Sequence, residues 1–124
     1  MNPLLNKSKL AGAAITKHRI VKFGADDDHV IQGAAATDSL IGVCEAVGAA
    51  AAEDRVDFIV AGIADVEYGG TVTRGALLTS DASGKAVAAA PATGVNNRII
   101  GVALVSAVDG DIGPMSIQPG SMQG

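Results

Sequence analysis

Short runs of β-branched residues, cut by Gly, Asp and Ala, set the rhythm of this chain. His18–Phe23 (HRIVKF) reads as a strand, Gly24–Asp28 (GADDD) as a turn and His29–Gln32 (HVIQ) as the return strand. Residues 34–39 form a link that holds at most one helical turn. Leu40–Val47 reads as a strand with Gly42 inside it. Gly48–Asp54 (GAAAAED) reads as a loop, because so short a segment cannot hold a lone helix despite its consecutive Ala residues. Arg55–Tyr68 is the longest strand signal: Val56, Phe58 and Val60 alternate with Asp57 and Ile59, and Ala64, Val66 and Tyr68 alternate with Asp65 and Glu67. Ile63, directly after Gly62, reads as a change of phase, the mark of a bulge or bend. Gly69-Gly70 turns the chain, Thr71–Arg74 is a short extended piece, and Gly75 permits a bend. Leu77–Ser80 and Lys85–Ala89 pair across Asp81-Ala82-Ser83-Gly84 as a hairpin, with Gly84 at the positive-φ position. Arg98–Ala107 is a nearly continuous apolar strand, expected to be buried on both faces. Asp109-Gly110 is a tight turn, and Asp111–Gln118 is the last strand, which Pro114 places at an edge or a bulge.

The pattern repeats. Ala34-Ala35-Ala36-Thr37 followed by Leu40-Ile41-Gly42-Val43 is matched by Ala90-Pro91-Ala92-Thr93 followed by Ile99-Ile100-Gly101-Val102. A turn and a short Val-containing strand precede each copy (Asp26–Gln32 and Asp81–Ala89). A hairpin partner follows each (Val56–Val60 and Ile112–Ile117). Two such units, joined through Ile63–Leu78, predict a mostly β fold: a small β-barrel or β-sandwich built from two similar hairpin units, with at most one short helix. Composition agrees. Val and Ile together outnumber Leu more than threefold, and branching at Cβ suits a pleated sheet better than a helix.

Charge changes the picture at the N-terminus. Residues 1–24 carry five cations (Lys7, Lys9, Lys17, Arg19 and Lys22) and no acid, whereas the rest of the chain carries all 13 acids, and the net charge is −4. Pro3, Asn6, Ser8 and Gly12 argue against a helix in residues 1–16, which read as an extended N-terminal arm ordered on binding. Residues 17–120 then form a single β domain, and 121–124 a tail. A basic stretch on an acidic body reads either as a solubilising tail with a first strand or as an arm that docks on an acidic neighbour, while the body disfavours nucleic acid. Aromatic residues are 2%, too few for a stacking surface. No apolar run approaches a membrane span, and Lys7 and Lys9 interrupt any signal-peptide core.

Candidate chemistry is sparse. Cys44 is the single cysteine and sits in an apolar run, as a small hydrophobe rather than a nucleophile. Asp26-Asp27-Asp28 lacks the spacing and distal Glu of a calcium loop and reads as a solvated turn. His18 and His29 flank one hairpin without a placed acid or Cys and read as polar strand ends. Gly84-Lys85 has Thr79 where a phosphate loop needs its first Gly, and Ser80 and Ser83 lack a nucleophile-elbow context. Lys85 follows a hairpin turn, the place of a carrier lysine, but lacks the neighbours that such lysines have. No base, nucleophile and orienting group fall together, and no cofactor or metal is expected.

At Val72-Thr73-Arg74-Gly75, Leu77-Leu78-Thr79-Ser80-Asp81 and Gly84-Lys85-Ala86-Val87, the chain resembles the capsid cement or head-decoration proteins of tailed bacteriophages. Arg98-Ile99-Ile100-Gly101-Val102-Ala103 and Leu40-Ile41-Gly42-Val43 extend the resemblance, which runs from about Arg19 to Gly120. It implies a small, β-tulip-like domain on the capsid exterior of the virion, made in the host cytoplasm. It also implies a major capsid protein as partner, a homotrimer on the particle and no catalytic residues. The expected capsid-binding residues are Lys7, Lys9, Lys17, Arg19 and Lys22. A small β-barrel binding or carrier module, and a tail or fibre component, are the alternatives.

Overall fold

The computed structural model describes residues 5–44, 48, 49 and 51–123, with side chains from residue 9 onward. Nine strands follow in chain order: β1 (Leu5–Ala11), β2 (Arg19–Phe23), β3 (His29–Gln32), β4 (Leu40–Cys44), β5 (Arg55–Glu67), β6 (Leu77–Ser80), β7 (Ala86–Ala88), β8 (Asn96–Ala103) and β9 (Ile112–Gln123). No helix occurs among the described residues, and the 34–39 link is a turn. The strands hydrogen-bond in the order β1-β3-β2-β4-β5-β9-β8-β6-β7, and β1 pairs with β5 as well. That second pairing closes β1, β3, β2, β4 and the first half of β5 into a five-stranded barrel. The second half of β5 continues into a sheet with β9, β8, β6 and β7. One bridge from Tyr68 to Ala86 brings β7 back to the end of β5.

The duplication seen in the sequence is a duplication of topology. β2, β3, β4 and the first half of β5 correspond to β6, β7, β8 and β9, and β1 corresponds to the second half of β5. β1 runs parallel to β3, and the Tyr68–Ala86 bridge is parallel too. The loops match atom for atom. Ile15 exchanges backbone hydrogen bonds with Ala49, as Val72 does with Ala107. Ala51 N–H donates to the Asp54 carboxylate, as Val108 N–H does to Asp111. Glu53 and Gly110 both take positive φ in these turns, at 72° and 92°. Gly42 and Gly101 are equivalent for a steric reason: a Cβ at either would run into the carbonyl of the neighbouring strand, Ile59 or Ser116.

Two cores result. The closed barrel holds Ala11, Ile15, Val21, Val30, Cys44, Ala49, Val56 and Phe58. The larger cluster contains the counterparts Tyr68, Val72, Leu78, Ala86, Ala103, Ala107 and Met115. It also takes in Ile20, Leu40, Val43 and Ile59 from the outer side of the first barrel. The two halves are therefore packed on one another through apolar side chains. Backbone bonds add to this: Ile20 N–H donates to Gly84 O at 2.8 Å, and Glu67 N–H to His18 O at 2.8 Å.

Several expectations need adjustment. The N-terminal stretch has extended backbone but is no free arm. Leu5–Ala11 is a sheet strand held between β3 and β5, because its backbone groups complete the ladder that closes the barrel. Met1–Leu4 lie outside the described residues. The expected tail is likewise part of β9, whose residues 120–123 pair with Asn96–Ile99 of β8. Gly62 is the bend in β5, at φ 103°. The buried positions nonetheless stay even-numbered on both sides of it (Val56, Phe58, then Ala64, Val66), and Ile63 is exposed. What changes at Gly62 is the core that the strand faces. β9 is a central strand. Pro114 is tolerated there because its carbonyl accepts from Leu104, the first residue past β8, so its missing N–H faces a side where the ladder has ended. The strand expected over Leu40–Val47 is described to Cys44, and residues 45–47 lie outside the description.

Candidate functional site

The five N-terminal cations do not form one exposed patch. Lys7 and Lys9 stand on β1, opposite Phe58 and Val56 of β5. The Lys9 ammonium donates to the Asp27 carbonyl, tying β1 to the turn between β2 and β3. The side chain of Lys7 lies outside the description. Lys17 is exposed in the turn before β2. Arg19 and Lys22 point into the fold. Lys22 pairs with Asp38 at 3.1 Å. Burial works against the Asp38 charge, but the Ala34 N–H and Lys22 outweigh it and hold that carboxyl below its ordinary range.

Arg19 belongs to a network joining the two halves. It contacts Glu67 at 3.2 Å and donates to Ser83 O at 2.8 Å. Glu67 also pairs with Lys85 at 3.2 Å, and Lys85 lies 3.5 Å from Asp109. Burial raises the Glu67 carboxyl, while its bonds to Lys85 and Arg19 lower it further, and the net direction is down. The hydrogen bond to Glu67, with Asp109 beside it, raises Lys85. A lysine held as an ammonium between two carboxylates is a poor carrier nucleophile. The role of Lys85 is structural: it caps the β6–β7 turn against the end of β5. The sequence placed Arg19 in the strand His18–Phe23 and Lys85 just after a hairpin turn, and no local signal linked them.

His18 and His29 do not meet. His18 takes φ 61° and sets its Nδ1 3.1 Å from the Asp65 carbonyl. His29 lies between Asp26, 2.6 Å from Nδ1, and Glu53, 3.0 Å from Nε2. The bond to Asp26, then that to Glu53, raises the His29 pKa, and the same contact lowers Asp26. Both imidazole nitrogens are engaged by carboxylates. The trio is a clip between the β2–β3 turn and the β4–β5 loop. A groove of about 470 Å³ beside it is lined by Gly12, Ile31, His29 and Glu53. A second groove of about 540 Å³ runs between Thr37, Leu40 and the β8–β9 ribbon, where Arg98 and Ser121 line it. Neither brings a nucleophile to a base. Cys44 is buried, and burial, with Asp57 nearby, pushes its thiol up to about 11, away from the reactive thiolate.

The surface carries a different kind of feature. Ile63, Leu77, Leu104, Val108 and Ile112 are exposed apolar side chains on the second half. In the first half, Phe23 is the corresponding large exposed side chain among those described. Ile63 and Leu77 share a row: Ile63 is opposite Ser116, Ser116 opposite Val102, and Val102 opposite Leu77. The row of Ile63, Ser116, Val102 and Leu77 is uncharged and crosses four strands.

Comparison with known proteins agrees with a structural role. The crystal structure of the N base of head fiber gp8.5 in bacteriophage phi29 has the same fold. It matches with a TM-score of 0.70 at 18% sequence identity, over 94% of this chain and 95% of that chain. No curated protein matches by sequence. The family model for phage cement proteins matches residues 5–116, from the barrel-closing strand through most of the second sheet. With both halves inside that match and the fold of a phage head component around them, this chain belongs to the phage cement protein family.

Proposed function

We propose that this protein decorates the outer surface of a phage head, where it binds major capsid protein subunits and bridges neighbours so that the shell resists internal pressure. The observation that carries this reading is the family match across residues 5–116, which spans both halves of the duplicated fold. A closed barrel and a sheet packed together through apolar side chains make a rigid body, suited to holding two points on a shell at a fixed distance. Attachment at many equivalent sites adds stability to shell and protein alike by mass action. The homotrimer is part of the proposal: a bridging protein at a three-fold position engages three subunits at once.

Lys7, Lys9 and Lys17 are the cations that this reading assigns to attachment on an acidic shell. Arg19 and Lys22 support it indirectly, by holding β2 in place through Glu67 and Asp38. The test is co-sedimentation with heads that lack the protein. Binding should saturate, with a Lys7→Ala/Lys9→Ala/Lys17→Ala variant weaker and less sensitive to salt. Protein that stays in the supernatant at all ratios contradicts the proposal. The likeness to a phi29 head fiber base favours a second reading, in which the domain seats a fibre on the head. A reconstruction of the native particle with fibre density leaving each copy supports that reading.

A further inference from the structure

The duplication places one cation at the same point of both halves. His29 opens β3 and lies opposite Leu10 of β1, with Val30 opposite Ala11 after it. Lys85 stands just before β7, and the next residue, Ala86, makes the parallel bridge to Tyr68 that matches Val30 and Ala11. The turn bonds match too: Gly24 N–H donates to His29 O at 2.9 Å, and Asp81 N–H to Lys85 O at 3.0 Å. The same loop follows the closing strand in each half. Ala11 N–H donates to Asp54 O, and the Ala11 carbonyl accepts from Glu53 N–H. Tyr68 N–H donates to Asp111 O, and the Tyr68 carbonyl accepts from Gly110 N–H. In each half the cation reaches across the closing strand to a carboxylate of that loop: His29 to Glu53 at 3.0 Å, and Lys85 to Asp109 at 3.5 Å. A second carboxylate completes each strap, Asp26 for His29 and Glu67 for Lys85.

The two straps differ in one respect. A lysine ammonium keeps its charge through the neutral range, whereas imidazole loses its proton there. Geometry decides what that loss does. His29 presents Nδ1 to Asp26 at 2.6 Å and Nε2 to both oxygens of Glu53 at 3.0 and 3.1 Å, so each nitrogen needs a proton. A neutral ring has one N–H, and its other nitrogen then sets a lone pair against a carboxylate. Asp26 lies in the same turn as His29, and its Oδ1 also accepts from the Asp28 N–H, so it stays. Glu53 is held less well. It takes φ 72°, a left-handed conformation that a Glu adopts only under constraint, and Gly110 stands at its place in the second half. The other charges around the ring are Asp27 and Asp28 of its own turn, Lys9 of β1, whose ammonium goes to the Asp27 carbonyl, Asp54 beside Glu53, and Arg55 of β5, opposite Leu10. Acids outnumber cations here, so loss of the imidazolium also leaves carboxylates to repel one another.

We propose that His29, Asp26 and Glu53 form a pH-sensitive strap over β1, closed when the imidazole is charged and released at Glu53 when it is neutral, while the Lys85 strap over the end of β5 stays closed. Release frees the turn at Glu53 from Ala11 and loosens the end of the strand that closes the first barrel. The sign follows from the pairing. The bonds to Asp26 and Glu53 raise the His29 pKa above the ordinary 6.5, so the strap is complete below that value and is lost as pH rises through the raised one. Lys85 is raised above 10.5, beyond that range.

The test is amide hydrogen exchange on the full chain by NMR, from about pH 6 to about pH 9, expressed as protection factors so that the intrinsic effect of pH is removed. In wild type, protection of the Ala11 and Glu53 amides should fall about three- to fivefold as pH rises, the size of a lost exposed ion pair, while that of Tyr68 and Gly110 stays level. His29→Lys copies the second half and should hold all four level. Glu53→Gln should also flatten the response, because an amide accepts from one form of the ring and donates to the other. If His29→Lys fails to fold, Glu53→Gln carries the comparison. Parallel profiles for the two pairs of amides in wild type overturn the proposal. So does a His29→Lys or Glu53→Gln protein that keeps the wild-type fall.

Discussion

Single residues act in this protein through geometry and pairing. His29 is the clearest case. Its folded pKa is raised above the ordinary 6.5, so its stabilising contribution is complete below that value and is lost as pH rises through the raised one. Asp26 works in the other direction. Its pKa is lowered from 3.8, so its contribution is present above that value and is lost as pH falls through the lowered one. The thermal midpoint of wild type should therefore decline from neutral toward alkaline pH, and His29→Gln should flatten that limb. Thermal melts of both proteins across the range check it, and parallel alkaline limbs contradict it. Glycine gives the second prediction at this scale. Gly42→Ala and Gly101→Ala set a Cβ against a neighbouring carbonyl and should each cost about 2–3 kcal/mol by denaturant melts. Gly120→Ala meets no atom within 4 Å and should stay within about 0.5 kcal/mol of wild type.

Elements depend on partners that are distant in sequence, and this explains what the chain revealed on first reading. β3 was legible to the residue, because HVIQ follows a turn and pairs locally with β2. The β6–β7 hairpin was legible through Asp81 and Gly84: the Asp81 carboxylate accepts from Ser83 and Lys85, and Gly84 takes φ 76°. The LIGV and IIGV copies were legible because both glycines answer the same steric demand. β1 was not. Its residues alternate weakly, and its order comes from β5, more than forty positions away. The Arg19–Glu67–Lys85–Asp109 network was hidden for the same reason, since its members come from separate turns and strands. The row of Leu77, Val102, Ser116 and Ile63 needed the strand register before its members could be seen as neighbours. Two predictions belong at this scale. Removing residues 2–11 leaves β3 and β5 with open edges and Phe58 uncovered, and should lower the thermal midpoint by about 10 °C or more. Phe58→Ala and Met115→Ala, at equivalent places in the two cores, should cost about 3–5 and 2–5 kcal/mol. Because Ile20, Val43 and Ile59 join the halves in one cluster, both losses should appear in a single cooperative transition by calorimetry.

The whole molecule is a duplicated body with asymmetric surfaces. One half is closed by a basic strand, and the other leaves an apolar row exposed. The proposed bridging role would use such a body, one rigid object with two different surfaces. Membership in the phage cement protein family sets it on a phage head, and the proposed role is to tie that head's subunits together. The most direct measurement is DNA retention by filled heads, stripped of the protein and then re-decorated to saturation, during a thermal ramp. The account predicts that re-decorated heads hold their DNA to a temperature several degrees higher than stripped ones. Identical release temperatures for stripped and fully decorated heads would contradict it.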